Sequence, residues 1–490
     1  MLLISTLVQL LTITFFPQRW NLILLSRIVM ISLFYSILLS YNSYYYKYLG
    51  NGIGIYAGTF QATNLTHFGD IFVCLLGILI LGITGFYCFN KRGSTKKILS
   101  TLEYKQPLEY PLLIQFFLIG SQLLMGSLNI ISIYISIELQ SFSLYLLTSL
   151  NSSSSKIGLK YFLLGTLSSC FILLGLGLMY SYSGITSLES LFIFYQVNPT
   201  NIIMNSGLLI FLSGLLFKIA VVPFQQGAVY IYDGVPTLIT TWLSTLTKIP
   251  ILIILIDFIY YCYESWISIL VLACFLSMIV GSVLGLYQVR IKRLLVYSMI
   301  SHVGFLLLSL CVCSKNSLQA FFLYIIQYSL TNLNIFLILI AMGYYLKKVD
   351  SPESPVTYLK SLKGFFFINP FLSICLAVSL LSLGGIPPLV GFFAKFNVLY
   401  SILSEGYLFI AFTAIITSVI SMGYYLKVIQ SMFFNKPELE YEEDIIISSY
   451  LILVISFLTL CLLFYIFYPD IFSNLISLLI SNYFDYSINN

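Results

Sequence analysis

The sequence predicts an all-α, polytopic membrane protein of about fourteen transmembrane helices. The 490 residues are 59% hydrophobic and only 8% charged, with a mean hydropathy of +0.98, so charged side chains are too few to cover a water-facing surface of this size. Apolar runs of about 20 residues, enough helix to span a hydrocarbon core, recur along the whole chain. These runs are continuous in Leu, Ile and Phe rather than alternating, which excludes the strands of an outer-membrane barrel.

The first two runs, 1–16 and 21–41, are separated by a turn carrying Arg19. Before the third, 70–90, the segment YKYLGNGIGIYAGTF holds Asn51 and Gly52 between β-prone residues, a hairpin signal. A loop with Lys91, Arg92, Lys96, Lys97 and Lys105 leads into 111–128 and 130–150. Lys156 and Lys160 open 158–181, and 204–224 and 236–260 follow. The run 265–287 ends at Arg290, Lys292 and Arg293, ahead of 294–313 and 317–346. Lys347, Lys348, Lys360 and Lys363 precede 367–402, and 406–434 closes near Lys427 and Lys436. An acidic stretch at 438–444, read as a solvated loop, leads to the last run, 446–468.

Numbered along the chain, the odd loops hold these cations and the even loops only Lys47 and Lys315. A miscounted helix would scramble that alternation, so it supports the helix number. It also orients the odd loops toward the cytoplasm or matrix, with both termini opposite. Arg27 lies where it can snorkel to the interface. The chain opens directly on membrane helix, with no cleavable leader or Arg-rich presequence, and its Ile, Tyr, Phe and Asn usage resembles the output of an AT-rich organellar genome.

Nine cysteines are scattered through apolar runs without a CxxC pair or metal spacing, and are read as small core residues. There is no phosphate-cradling glycine loop or dinucleotide fingerprint, so no redox cofactor is expected in this chain.

Three lysines break the apolar pattern: Lys218, Lys248 and Lys395. A cation at the bilayer centre costs about 2.5–3.5 kcal/mol even on insertion scales, and such residues mark ion or proton routes. Two of them stand beside prolines, in GLLFKIAVVPFQQG and LGGIPPLVGFFAKF. Pro223 is expected to free the carbonyl of Ile219, and Pro387 and Pro388 those of Leu383 and Gly384, giving two broken helices whose carbonyls must be satisfied inside the protein. Two such breaks, about 177 residues apart, point to an internal inverted repeat. Lys248, in TWLSTLTKIPILI, is read as mid-helix.

Glu138 is the acidic residue placed near a helix centre, and a Glu138–Lys218 pair would make a bistable proton-responsive element. A static packing ion pair is the alternative. His302, well inside RLLVYSMISHVGFLLLSL, is suited either to proton relay or to a hydrogen-bonded core. His67, beside Asp70 at a helix entrance, is read as surface.

The stretches FKIAVVPFQQGAVYIYDGVPTLITTWLSTLTKIP, QVRIKRLLVYSMISHVGFLLLSL, LSLGGIPPLVGFFAKF and SVISMGYYLKVIQSMFF together resemble the subunit 2 family of respiratory complex I, the proton-pumping NADH:ubiquinone oxidoreductase. The likeness is strongest over 125–435 and is to the long, fungal-type, mitochondrially encoded form. It implies antiporter-like inverted five-helix repeats and a midplane chain of protonatable residues, here Glu138, Lys218, Lys248 and Lys395, with His302 matching an SxxH element. It implies a division into 1–110, 111–260, 261–435 and 436–490, with broken helices near 204–225 and 367–402. It also implies residence in the mitochondrial inner membrane, both termini in the intermembrane space, among lipids and other membrane and hydrophilic subunits, with no nucleic acid. FMN, iron–sulfur clusters and ubiquinone would belong to those partners, none to this chain. Where relatives commonly carry a histidine and a tryptophan after the Pro-Phe of the first break, this chain has Gln225, Gly227, Val229 and Tyr230, while Asp233, Gly234 and Pro236 keep the pattern. A free-standing cation/proton antiporter, or a sister subunit (4 or 5) of the same complex, is the alternative.

Overall fold

A computed structural model describes residues 1–15, 22–43, 52–84, 89–90, 108–151, 154–198, 201–261, 263–346, 354–437 and 445–488. Arg19, Lys47, Asn51, Cys88, Cys262, the cations from Lys91 to Lys105, Lys347, Lys348 and the acidic stretch 438–444 lie outside the described residues.

Four helices open the chain: α1 (Leu2–Phe15), α2 (Leu22–Ser43), α3 (Asn64–Leu81) and α4 (Tyr110–Met125), all packed on one another except α1 on α3. Thr63 starts α3 by exchanging hydrogen bonds with Thr66, which satisfies two otherwise orphaned groups of the first turn. Then follow α5 (Ile130–Ser149), α6 (Ser155–Ser183), α7 (Leu188–Val197), α8 (Ile202–Ile219), α9 (Gln226–Gly234), α10 (Thr237–Thr245) and α11 (Lys248–Tyr261). The second half comprises α12 (Tyr263–Leu286), α13 (Ile291–Leu310), α14 (Lys315–Gly343), α15 (Pro370–Gly384), α16 (Val390–Ser404) and α17 (Leu408–Phe434). The last two helices are α18 (Ser449–Phe464) and α19 (Pro469–Ile488).

Among the described residues, eleven helical spans are long and apolar enough to cross a membrane. Adding the shorter apolar helices α1 and α4, and taking α15 with α16 as one interrupted crossing, brings the number to the expected fourteen. The halves repeat one plan: α4 packs on α5 as α12 packs on α13, and α6 packs on the first broken helix as α14 packs on the second. Five crossings per half is an odd number, so the second copy is inverted relative to the first.

Small residues let the helices close up. A Cβ at Gly175 of α6 would stand 2.5 Å from the Phe211 amide nitrogen of α8, so glycine alone allows this approach. The most enclosed spans are 237–259, α13 and α14, with 94%, 89% and 83% of their apolar windows buried. They carry Lys248, His302 and a pair of tyrosines, so the polar groups sit at the centre of the helix assembly.

Three expectations need correction, and the tail adds an element beyond them. The hairpin forms, pairing β1 (Ile53–Ile55) with β2 (Phe60–Ala62), but its turn is Tyr56–Thr59 rather than Asn51–Gly52, with Tyr56, Ala57 and Gly58 all at positive φ. The run 236–260 is not one helix: it is interrupted at Leu246–Thr247, because Pro250 has no amide to offer the Leu246 carbonyl four residues back and crowds it. Lys248 therefore begins α11 at a third break instead of lying mid-helix. The tail contains α19, packed on α14 and α3, whose Asn and Ser residues hide its apolar face from a simple count. His67 is half-buried, not a surface residue.

Candidate proton-transfer site

The first break follows α8. Lys218 lies in its last turn, the chain turns at Ala220 in the left-handed region (φ 66°), and Pro223 prevents the helix from resuming directly. Lys218 Nζ approaches Glu138 Oε1 of α5 to 3.8 Å, with side chains 10% and 15% exposed. That is an ion-pair distance, too long for a direct hydrogen bond, and neither atom has a hydrogen-bond partner among the described residues. A cavity of about 70 Å³ lies against Lys218, lined by Gln140, Ser141, Ser168, Tyr232, Gly227 and Thr247 among others. Its volume, and the polar side chains set in an otherwise apolar wall, suit a few water molecules. It extends from Lys218 to the residue preceding Lys248. Gly227, one of the departures from the family pattern, forms part of its wall, and Gln225 Oε1 is buried without a partner among the described residues.

Lys248 is 3% exposed and donates from Nζ to the Tyr328 hydroxyl of α14 at 2.8 Å. Tyr328 stands with its ring centre 6.0 Å from the His302 ring. His302, 3% exposed, is held at both nitrogens: Nδ1 lies 2.7 Å from the Tyr324 hydroxyl and Nε2 3.2 Å from the Tyr425 hydroxyl. One imidazole nitrogen donates and the other accepts, so the ring is poised between two hydroxyls.

At the second break Pro387 and Pro388 end α15, and Gly385 turns the chain at φ 84°. Lys395 of α16, 8% exposed, reaches back to donate to the Gly384 carbonyl at 2.9 Å. That is one of the two carbonyls the prolines were expected to free, and the lysine is its internal partner. A side chain at Gly385 would be both strained at this φ and 2.9 Å from the Lys395 Cδ atom. Lys395 Nζ also lies 5.6 Å from the Phe305 ring centre, one turn beyond His302, and Phe305 stacks on Tyr324.

The structure thus brings Glu138 and Lys218 together and groups Lys248, His302 and Lys395 around α13 and α14. It does not bring Lys218 into contact with Lys248; the cavity lies between. Sequence reasoning missed Tyr324 and Tyr328, which a one-turn spacing on the helix after His302 would have flagged. It missed Tyr425 too, for which the sequence carries no signal. Outside the apolar core, Asp233 at the end of α9 receives Arg290 and Arg293 at 2.7 and 2.8 Å, and Lys292 donates to the Val235 carbonyl at 2.6 Å. Cations there complement the negative end of α9 and tie the two halves. Among the described residues no group of His, Cys, Asp and Glu side chains is arranged to hold a metal ion.

Residues 127–421 match the family described as NADH:quinone oxidoreductase/Mrp antiporter, TM. The chain is similar to NADH-ubiquinone oxidoreductase chain 2 of Rhizopus oryzae, 44% identical with 89% of this chain and 86% of that one covered. It is also similar to NADH-quinone oxidoreductase subunit N of Pelagibacter ubique, 33% identical with 86% of each covered. Its fold is shared with a chain of respiratory complex I from Thermus thermophilus (TM-score 0.76, 22% identity, 96% and 97% covered). It is shared as well with a chain of the Mrp complex from Dietzia (TM-score 0.81, 16% identity, 98% and 96% covered). The chain belongs to the NADH:quinone oxidoreductase/Mrp antiporter transmembrane family, as an antiporter-like membrane subunit of the chain 2 or subunit N kind.

Proposed function

We propose that this chain is a proton-translocating membrane-arm subunit of mitochondrial NADH:ubiquinone oxidoreductase, working in the inner membrane with both termini toward the intermembrane space. FMN, iron–sulfur clusters and ubiquinone act in partner subunits, and the redox energy arrives here as a conformational or electrostatic signal. The observation that carries the reading is the Glu138–Lys218 pair, set at a helix break beside a cavity that carries polar side chains and runs toward Lys248. Changing the separation of that pair changes how firmly Lys218 holds its proton. A proton released there passes through cavity water to Lys248, then by way of Tyr328, His302 and Tyr324 toward Lys395. The repeats 111–260 and 261–435 supply the two halves of this route, flanked by 1–110 and 436–490.

The test is the native detergent-solubilised particle and its proton yield. The chain is expected to migrate with hydrophilic iron–sulfur subunits, and Lys218→Met to lower both NADH-driven ubiquinone reduction and proton transfer. A monomer or small oligomer migrating alone would identify a free-standing cation/proton antiporter instead.

A further inference from the structure

The N-terminal helices contain a buried polar stripe that the route above does not use. On α3, His67, Asp70 and Cys74 follow one face at helical spacing. Ser43 Oγ lies 3.3 Å from His67 Nε2, and Cys74 Sγ accepts from Ser36 Oγ at 3.4 Å and from Gln122 Nε2 at 3.2 Å. Two turns along α4, Gln115 Nε2 donates to Ser5 Oγ at 3.0 Å and Ser32 Oγ at 3.1 Å, joining α1, α2 and α4. From His67 to Gln115 the stripe covers roughly 20 Å of a hydrocarbon thickness of about 30 Å.

Among the described residues the stripe is left unfinished. Gln9 and Gln115 are both 0% exposed, yet among the described residues Gln9 has no partner for either amide atom and Gln115 none for Oε1. At the other end, the buried Asp70 Oδ1 and His67 Nδ1 also have none. Leaving a buried polar atom unpaired costs about 1–3 kcal/mol, and five such atoms in one seam would be a heavy burden on a lipid-embedded bundle. Water is the partner that fits: small, able to donate and accept, and compatible with serine, amide, thiol, imidazole and carboxyl groups alike. Asp70, one turn from His67 at the hairpin end, is a group in the seam that can take up and pass on a proton.

We propose that α1–α4 enclose a second water-filled half-channel, opening toward the hairpin, in which Asp70 exchanges protons with the water file. A proton moves from file water at the hairpin end to a carboxylate oxygen of Asp70 and leaves it to water farther along the file toward Gln115, so no other reactant is needed. That the file serves pumping rests on the proton-translocation reading; that it is hydrated does not.

Radiolytic footprinting of the intact complex distinguishes the two, because hydroxyl radicals formed from bound water oxidise the side chains beside it. Cys74 is the reporter, and Cys274 and Cys311, buried and facing each other at 3.7 Å, are the dry controls. Cys74 is expected to be oxidised about tenfold faster than either control, and Gln115→Leu to slow it. Equal rates at all three cysteines would overturn the half-channel. In the second arm, Asp70→Asn is expected to lower the protons moved per NADH and Asp70→Glu to restore them. A hydrated Cys74 with unchanged proton yield in Asp70→Asn would leave a structural water pocket and overturn the proton-exchange role. Glu138→Gln measured in parallel separates the readings: a normal yield there defeats the main route without bearing on the oxidation of Cys74.

Discussion

Glu138→Gln and Lys218→Met, made singly and together, test whether the ion pair works as a unit. At 3.8 Å and an effective dielectric constant of about 20, opposite unit charges attract by about 4 kcal/mol. The side chains are 10% and 15% exposed, so solvent screens the pair only weakly, and the lack of a direct hydrogen bond makes the interaction almost purely Coulombic. Desolvation opposes part of that attraction, so the coupling energy in a double-mutant cycle should fall at about 1–4 kcal/mol, or from several-fold to several hundred-fold in rate. The assay is NADH-driven proton transfer into vesicles holding the whole complex, normalised to assembled complex. Each single variant should be impaired, and the double variant should be little worse than the poorer single one. Strict additivity, within about 0.5 kcal/mol, would show that the two residues act independently and would refute the paired mechanism.

Lys395→Arg should assemble, since a cation able to donate to the Gly384 carbonyl is retained, yet pump poorly, because a guanidinium stays protonated and does not release its proton; parent-like pumping would leave Lys395 an electrostatic element only. Tyr328→Phe removes the 2.8 Å bond from the buried Lys248, and a hydrogen bond to a charged group contributes about 1.5–3 kcal/mol, so coupled turnover should drop by roughly tenfold or more. Unchanged turnover would take Tyr328 out of the route. Asp233→Asn loosens Arg290 and Arg293, whose side chains are 43% and 34% exposed, so thermal stability of the assembled subunit should fall by no more than about 1 kcal/mol per pair. Asp233 holds the Arg290 guanidinium above its ordinary value. The resulting stabilisation is fully present below the ordinary, unfolded guanidinium value and is lost only as pH rises through the raised one, so the difference between parent and variant should be flat from about pH 5 to 9. A slope there, seen in melting curves, would contradict the assignment. A thiol reagent confined to the matrix should label cysteines introduced at 91–109 and 347–366, and one on the other side those at 42–69; the reverse pattern would invert the topology.

The helix number was legible because hydrocarbon demands about 20 apolar residues for each crossing, a local property that needs no knowledge of neighbours. The breaks at Pro223 and Pro387–Pro388 were legible for a similar reason, since proline acts on the carbonyl four residues back in its own helix. Pro250 obeys the same rule, and the break before Lys248 was open to the same argument. Lys218, Lys248 and Lys395 stand out because charge is expensive wherever lipid surrounds it. What each lysine touches was decided only by tertiary packing. That Lys395 answers the carbonyl freed at Gly384, that Lys248 meets Tyr328, and that His302 is held by Tyr324 and Tyr425 depend on helices far apart in the chain, as 80 residues separate Lys248 from Tyr328 and 123 separate His302 from Tyr425. Tyrosine is abundant here, 38 in all, so composition could not single out these few. Nor could spacing along one helix show that His67 and Cys74 face the serines and glutamine of α2 and α4, because a polar stripe gains its meaning from the face set opposite it.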